Sequence, residues 1–180
     1  MIIMKKKWEA TMEKDKTLLE LAGMKLKEDG FHRPYFELEE NDGVVILAKE
    51  GDSFLLIEQY RKPVGTIVQQ LPGGGVKKGE ELEQAARREF LEETGYQCGI
   101  VHYLGFLQPA SWRTNEITHA FFTEEIRTKQ HQQLEEHENI KVIKVKIKDC
   151  LNKVKENKMN DSELCYAILQ AILKEYIPVT

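Results

Sequence analysis

Three cysteines, five prolines and the lack of any apolar run long enough to cross a bilayer set the first limits on this chain of 180 residues. Cys98, Cys150 and Cys165 are odd in number and widely separated. They fit neither a disulfide framework nor the paired spacing of a zinc site, so they read as reduced thiols. No histidine-rich motif lies beside any of them to make a nucleophile. The opening Met1-Ile2-Ile3-Met4-Lys5-Lys6-Lys7 puts apolar residues before basic ones, the reverse of a secretory signal. With no candidate span, the expected compartment is the cytoplasm. Internal repeats, low-complexity tracts and Pro/Gly/Ser linkers are missing too. Neither sign of charge dominates: a net charge of -4 gives no long-range pull toward nucleic acid or anionic lipid, so neither is expected as a partner. What remains, 41% hydrophobic and 31% charged, is the composition of a globular protein, long enough for one domain with a short appended segment.

Before residue 41 the chain reads as two strands, 18–27 and 33–39, joined by a hairpin turn at Asp29-Gly30. Asn41-Asp42-Gly43 reads as a second turn, followed by buried strands at 44–48 and 54–58 around Glu50-Gly51-Asp52. A glycine cluster, Gly73-Gly74-Gly75, leads through a polar stretch to a helix over 80–93 that Gly95 closes. Further strands are expected at 100–107, 118–123 and 140–147, and two helices at 148–156 and 162–176. Strands interleaved with helices predict an α/β fold with a mixed sheet packed between helices.

The helix before Gly95 carries the chemistry. Glu89, Glu92 and Glu93 fall at i, i+3 and i+4, so their carboxylates share one face. As plain helix design this is poor. Glu89 and Glu93 repel at a cost of roughly 0.2–0.5 kcal/mol. Glu92 and Glu93 also sit at the carbonyl end, where the helix dipole disfavours each anion by roughly 0.3–1 kcal/mol. A hard divalent cation reverses both signs, because it seeks carboxylate oxygens and becomes the largest local charge. The competing reading is a solvated acidic face paired with Arg87 and Arg88.

The residues upstream decide between them. Gly74, Glu80 and then Arg88-Glu89-Phe90-Leu91-Glu92-Glu93-Thr94-Gly95-Tyr96 resemble the Nudix box, G-x5-E-x7-R-E-U-x-E-E-x-G-U with U apolar, and every fixed position is met. Chance agreement is on the order of 10⁻⁷ per chain at average composition. The resemblance implies an α/β/α sandwich and a pyrophosphohydrolase that cleaves a nucleoside diphosphate linked to another group. It implies Mg²⁺ as cofactor, with Mn²⁺ as a substitute, held by Glu89, Glu92, Glu93 and the backbone carbonyl of Gly73. Arg88 resembles the arginine that orients one of these glutamates, and Glu80 a supporting glutamate.

The flanks resemble the ADP-ribose pyrophosphatase and nucleotide-sugar branch of that family. Glu58-Gln59-Tyr60-Arg61 is similar to its Q-Y-R element, whose arginine faces substrate phosphates, a role suited to a bidentate donor. The bland alternative for Arg61 is a surface ion pair with Glu58. Leu134-Glu135-Glu136-His137-Glu138 resembles the branch's acidic loop. It implies Glu136 as general base and Glu138 as a further metal ligand, with Glu135 the alternative base and a solvated acidic turn the alternative to both. The residues carried over as catalytic are therefore Glu136, Glu92 and Arg88. Glu116 and Trp112 are carried over as substrate contacts; for Trp112, burial and a place in a dimer interface are the alternatives to stacking on a base. Lys158-Met159-Asn160-Asp161-Ser162 before the last helix is similar to the branch as well. So is the strand segment 1–41, ahead of a Nudix domain over 42–180; in relatives that segment packs between two subunits, which implies a homodimer with 1–41 as its contact. One feature departs: Ser111 stands where ADP-ribose hydrolases tend to carry proline, which weakens ADP-ribose relative to the wider nucleotide-sugar class. Two rivals remain. A nucleoside-triphosphate sanitiser is opposed by the N-terminal segment and the Glu58–Arg61 element, and a non-catalytic nucleotide-sensing module by the intact box carboxylates.

Overall fold

The computed structural model describes residues 15–134 and 138–178, in two compact units, each with its own sheet. The first takes Met1–Asn41 with Gln108–Ile117, and the second takes Asp42–Leu107 with Thr118–Thr180.

In the first unit β1 (Lys16–Leu21), β2 (Met24–Glu28) and β3 (Pro34–Leu38) form an antiparallel sheet in the order β1-β2-β3. The expected single strand over 18–27 is thus two. Gly23, at φ 75°, turns the chain back so that Leu21 faces Met24, and apolar alternation on either side of a short turn conceals the turn itself. The second hairpin turns at Asp29 as expected: its Oδ1 accepts the N–H groups of Phe31 (2.8 Å) and Arg33 (3.0 Å). The segment 108–117 is stapled to β3. The Asn115 side chain accepts the Leu38 N–H at 2.8 Å and donates to the Leu38 carbonyl at 3.0 Å, taking the place of a neighbouring strand's backbone.

The second unit is a mixed seven-stranded sheet between helices. Its strands are β4 (Asp42–Glu50), β5 (Ser53–Arg61), β6 (Thr66–Gln70), β7 (Gly73–Gly75), β9 (His102–Leu107), β10 (Ile117–Thr123) and β12 (Ile140–Lys146). A separate two-stranded ribbon pairs β8 (Tyr96–Cys98) with β11 (Ile126–Lys129). The helices are α1 (Leu82–Thr94), α2 (Ile147–Lys155) and α3 (Ser162–Leu173). Alternation along the strands builds two cores. Leu47, Phe54, Leu56, Ala120 and Phe122 pack with Leu164, Ala167, Ile168 and Ala171 of α3. Ile46, Ala48, Leu55 and Phe121, facing the other way, pack with Ala85, Ala86 and Phe90 of α1. Each fully buried Phe, Leu or Ile stabilises by roughly 1.5–3 kcal/mol, which fixes α1 to its face of the sheet. Among the described residues no helix is long and apolar enough to cross a membrane.

The sheet forks where the site lies. β4 and β5 pair only from Ala48 to Glu50 against Ser53 to Leu55. Beyond that they diverge: β6 takes over the edge of β5, and β7 pairs with β4 from Gly43 to Val45. β4 begins at Asp42, so the expected turn at Asn41-Asp42-Gly43 is already strand; β7 recruits those residues. β6, β7, β8 and β11 were not expected, being short and poor in apolar alternation. A Cβ on Gly73 would overlap the Val44 carbonyl oxygen and lie 2.8 Å from Val45 Cα, whereas one on Gly75 would meet nothing within 4 Å. Gly73→Ala is therefore expected to lower unfolding free energy by about 1–3 kcal/mol, and Gly75→Ala by under about 0.5 kcal/mol. Paired urea titrations check this; equal midpoints for the two variants would show that the strand pair tolerates a side chain.

Candidate active site

α1 delivers its glutamates through a specific set of local constraints. Ala85, Ala86, Phe90 and Thr94 bury one stripe against the sheet, and Gly95 ends the helix at φ 74° with its N–H on the Leu91 carbonyl at 2.8 Å. Glu93 lies on the buried stripe, at 3% exposure, and accepts the Gly73 N–H at 2.7 Å. Glu89 sits over Gly74: a Cβ there would come within 2.7 Å of its carboxyl carbon and Oε2. Two successive glycines on β7 thus let two carboxylates of α1 rest against the strand.

Arg88 binds the group together. Its Nε and Nη2 reach the two oxygens of Glu80 at 2.8 Å each, Nη1 reaches Glu89 at 2.5 Å and Glu92 at 3.1 Å, and Nη2 also donates to the Gly75 carbonyl at 2.9 Å. These bonds hold the Glu80 carboxyl down to about 2, helped by the Lys77 N–H and opposed by burial. They raise Arg88 above its ordinary value, the Glu80 bond foremost. Of the alternative reading, an acidic face paired with both arginines, the Arg88 half forms, whereas Arg87 pairs with Glu83 and with the carbonyls of Cys98 and Gly99.

The remaining carboxylates are pushed toward protonation. Burial drives Glu93 up to about 8, the charges of Glu89 and Glu138 adding to it while the Gly73 N–H and Arg61 oppose. Burial also raises Glu89, against Arg88 and with Glu92 and Glu138. Glu138 therefore lies close enough to act on both. Among the described residues no three carboxylate, histidine or cysteine groups are yet gathered as a metal cage, since Arg88 draws Glu89 and Glu92 to itself. The donors fit a hard divalent cation all the same: all are oxygens, Glu93 is buried and Glu89 half-buried, and their mutual repulsion is what such a charge offsets.

Other expected residues fall as follows. Arg61 ends β5, donates from Nε to Gln70 Oε1 at 3.0 Å, and its charge is felt by Glu93 and Asp161. The expected alternative, an Arg61–Glu58 pair, is not what forms: Glu58 accepts from Gln69 at 2.8 Å and from Lys141 at 3.1 Å. Asp161 caps α3 by accepting the Leu164 N–H at 2.9 Å, and burial pushes it up to about 6. Gln132 ties the loop to the site, its Nε2 donating to the Glu93 carbonyl at 2.5 Å. Glu135 and Glu136 lie outside the described residues. Trp112 and Glu116 belong to the first unit. There Trp112 is 77% exposed beneath the Arg113 guanidinium, so the buried alternative falls. Gln59, part of the Q-Y-R element, has a buried Oε1 with no partner among the described residues. Gln70, 8% exposed, was not singled out from sequence; the signal was the Gln69-Gln70 pair between the Q-Y-R element and the glycine cluster.

The box geometry, the sandwich and the chain as a whole agree with one family. The NUDIX domain profile matches residues 38–162, and the chain belongs to the Nudix family as a hydrolase acting on pyrophosphate bonds. Nudix hydrolases generally use divalent metal ions and act on small nucleotides. The chain is 32% identical over 133 residues to the ADP-ribose pyrophosphatase of Bacillus subtilis (strain 168), covering 73% of this chain and 71% of that protein. It is 30% identical over 132 residues to the methanol dehydrogenase activator of Bacillus methanolicus, with 73% and 71% covered. A crystal structure of an ADP compounds hydrolase superposes with a TM-score of 0.74 over 90% of each chain; at 16% identity the likeness is one of fold.

Because the folded chain keeps Glu80 ionised down to about pH 2, whereas an unfolded chain protonates it near ~4.3, the Glu80–Arg88 contribution to stability is present above that higher value. It is lost as pH falls toward 2. Glu80→Gln is expected to be less stable than the parent at pH 7, with the gap closing between about pH 4.3 and 2. Urea midpoints measured across that range test it, and a gap that persists unchanged at the acid end refutes the ion-pair account.

Proposed function

We propose that this protein is a Mg²⁺-dependent pyrophosphohydrolase of nucleoside diphosphates linked to a second group, with ADP-ribose or a related nucleotide sugar as substrate. The observation that carries this is the pair of carboxylates, buried Glu93 and half-buried Glu89, seated on Gly73 and Gly74 beside Arg61 and Glu138. The relatives named for ADP-ribose and ADP compounds support the substrate class. Glu89, Glu92, Glu93, Glu138 and the Gly73 carbonyl are the oxygen donors that would hold Mg²⁺, or Mn²⁺ in its place. Bound there, the cation supplies charge neutralisation of the diphosphate and a more acidic water.

The chain's own groups do the rest. Arg61 binds the diphosphate through its guanidinium fork. Arg88 orients Glu89 and Glu92, and Glu80 fixes Arg88 in turn. Glu136 accepts the proton of the attacking water, with Glu135 as its alternative. Trp112 and Glu116 contact the nucleotide or sugar. Hydrolysis of nucleoside triphosphates is the second reading, favoured by 33% identity over 130 residues to an Escherichia coli nucleoside triphosphatase.

Turnover of ADP-ribose, other nucleotide sugars, dinucleotides and triphosphates with Mg²⁺, followed by product chromatography, decides between the two. ADP-ribose or a nucleotide sugar is expected to be cleaved fastest, and a clear preference for triphosphates overturns the assignment. On the preferred substrate, Glu92→Gln and Glu93→Gln should each lose several orders of magnitude in kcat while remaining folded. Glu138→Gln should instead raise the Mg²⁺ needed for half activity and recover with excess metal. Near-parental turnover in both box variants sinks the metal site.

We also propose a homodimer in the cytoplasm, assembled through the first unit. Every residue of β1 is exposed at the edge of its sheet, and Leu18, Leu19 and Leu21 are about half exposed. Among the described residues no strand pairs with the outer side of β1, and an apolar edge of this kind is stable in water when covered. Sedimentation should give twice the chain mass, shifting toward the monomer in Leu19→Lys/Leu21→Lys; a monomeric parent rejects the interface.

A further inference from the structure

Arg61 does not extend straight off the end of β5. In the β5–β6 register Arg61 faces Thr66, Gln59 faces Val68 and Ile57 faces Gln70. Yet the Arg61 Nε donates to the Gln70 side chain at 3.0 Å. The arginine therefore folds back over two cross-strand pairs to reach its acceptor. Alternation puts residues 57, 59 and 61 on one face of β5. Leu55, two residues earlier in that series, packs under α1 with Phe90, so this is the face that carries Glu93. The charge of the folded-back guanidinium acts on both Glu93 and Asp161.

Gln70 is well placed to enforce that direction. Gln70 is 8% exposed, so little water competes for its side-chain carbonyl, and it offers the exposed Arg61 a fixed acceptor. A guanidinium is planar and rigid, so the bond at Nε restricts where both Nη groups point. The acceptor's chemistry matters as much as its place. An amide carbonyl takes one hydrogen bond and leaves the guanidinium its full charge, whereas a carboxylate at the same position would pair with it bidentately and neutralise it.

We propose that Gln70 is a positioning residue for substrate: its neutral carbonyl holds Arg61 folded back over β6, aiming the guanidinium fork at the substrate diphosphate with its charge unspent. This rests on the reading of Arg61 as the diphosphate contact. Gln70 touches neither substrate nor reacting atoms and acts through Arg61 alone. Preorganising the arginine in this way lowers the cost of ordering it when substrate binds, so the effect belongs in KM more than in kcat.

The test is a double-mutant cycle on the intact protein with Mg²⁺ and ADP-ribose, or whichever panel compound is turned over fastest. Arg61→Ala is expected to raise KM by roughly tenfold or more. Gln70→Met, similar in size but without the acceptor, should raise KM by roughly 3–20-fold with kcat changed less. In the Arg61→Ala background Gln70→Met should change nothing further, since its only route of action is gone. Gln70→Glu keeps the shape and the Nε acceptor but adds charge; it should also raise KM, and it carries the test alone if Gln70→Met does not fold. A parental KM in Gln70→Met and Gln70→Glu, with Arg61→Ala impaired, overturns the inference and leaves the Arg61 reading standing. Multiplicative effects of the two substitutions overturn it as well. If Arg61→Ala is itself unimpaired, the Arg61 reading fails first and takes this inference with it.

Discussion

The site depends on what β7 lacks. Gly73 and Gly74 present bare backbone to α1, and the helix comes close enough that Glu93 accepts a hydrogen bond from the strand and Glu89 fills the volume of a missing side chain. Any Cβ at Gly73 would collide with β4, and one at Gly74 would displace the Glu89 carboxyl. The close approach explains the fork in the sheet: β4 gives up β5 beyond Ala48 so that β7 can lie beside it. Cooperation between the sheet and the helix dipole is not what holds the carboxylates, since three anions in the last turns of a helix oppose that dipole. Burial of Ala85, Ala86 and Phe90 holds α1 in place, and the carboxylates are carried to the strand with it.

Electrostatics then divides the acidic residues into two sets. Arg88 takes Glu80 as a bidentate partner and keeps it ionised well into acid. Glu93 is left buried and Glu89 half-buried, mutually repelling, with proton affinities raised above their ordinary values. A stable protein without a further role would have little reason to keep such a cluster, because an uncompensated buried charge costs more than most surface contacts return. In a family that generally uses divalent cations, the cluster supports the proposal that it holds one. Arg61 brings positive charge to the same neighbourhood from β5, and its tether to Gln70 is neutral.

The chain's kinship is carried unevenly along its length. The family profile spans residues 38–162, while the first unit adds a three-stranded sheet stapled by Asn115 to the segment 108–117. That segment contains Trp112 and Glu116, the proposed contacts to nucleotide or sugar, and Ser111. On that proposal, residues that select the substrate are separate in the chain from the box, which fits a fold whose members share a reaction and differ in what they cleave.

The box was legible in the sequence because it is local: Gly74, Glu80, Arg88, Glu89, Glu92, Glu93 and Gly95 lie within one loop and one helix, where spacing alone determines which side chains share a face. The helix and its glycine stop, the strands of the two cores and the last two helices were readable for the same reason, as period and punctuation survive in a single chain. The hairpin hidden in 18–27 was not, because a two-residue turn at Gly23 leaves the alternation on each side intact. β6 and β7 were not, because strands of five and three residues with few apolar positions become strands only when a partner edge is offered. Tertiary structure alone decided that Glu58 pairs with Lys141 and leaves Arg61 to Gln70, a choice set by cross-strand register. It alone decided that Glu93 is buried and Glu92 is not. The sequence by itself determined which groups are carried on α1 and in what order; only the packing of that helix against a glycine strand decided which of them lose their water, and loss of water is what turns a row of glutamates into a site.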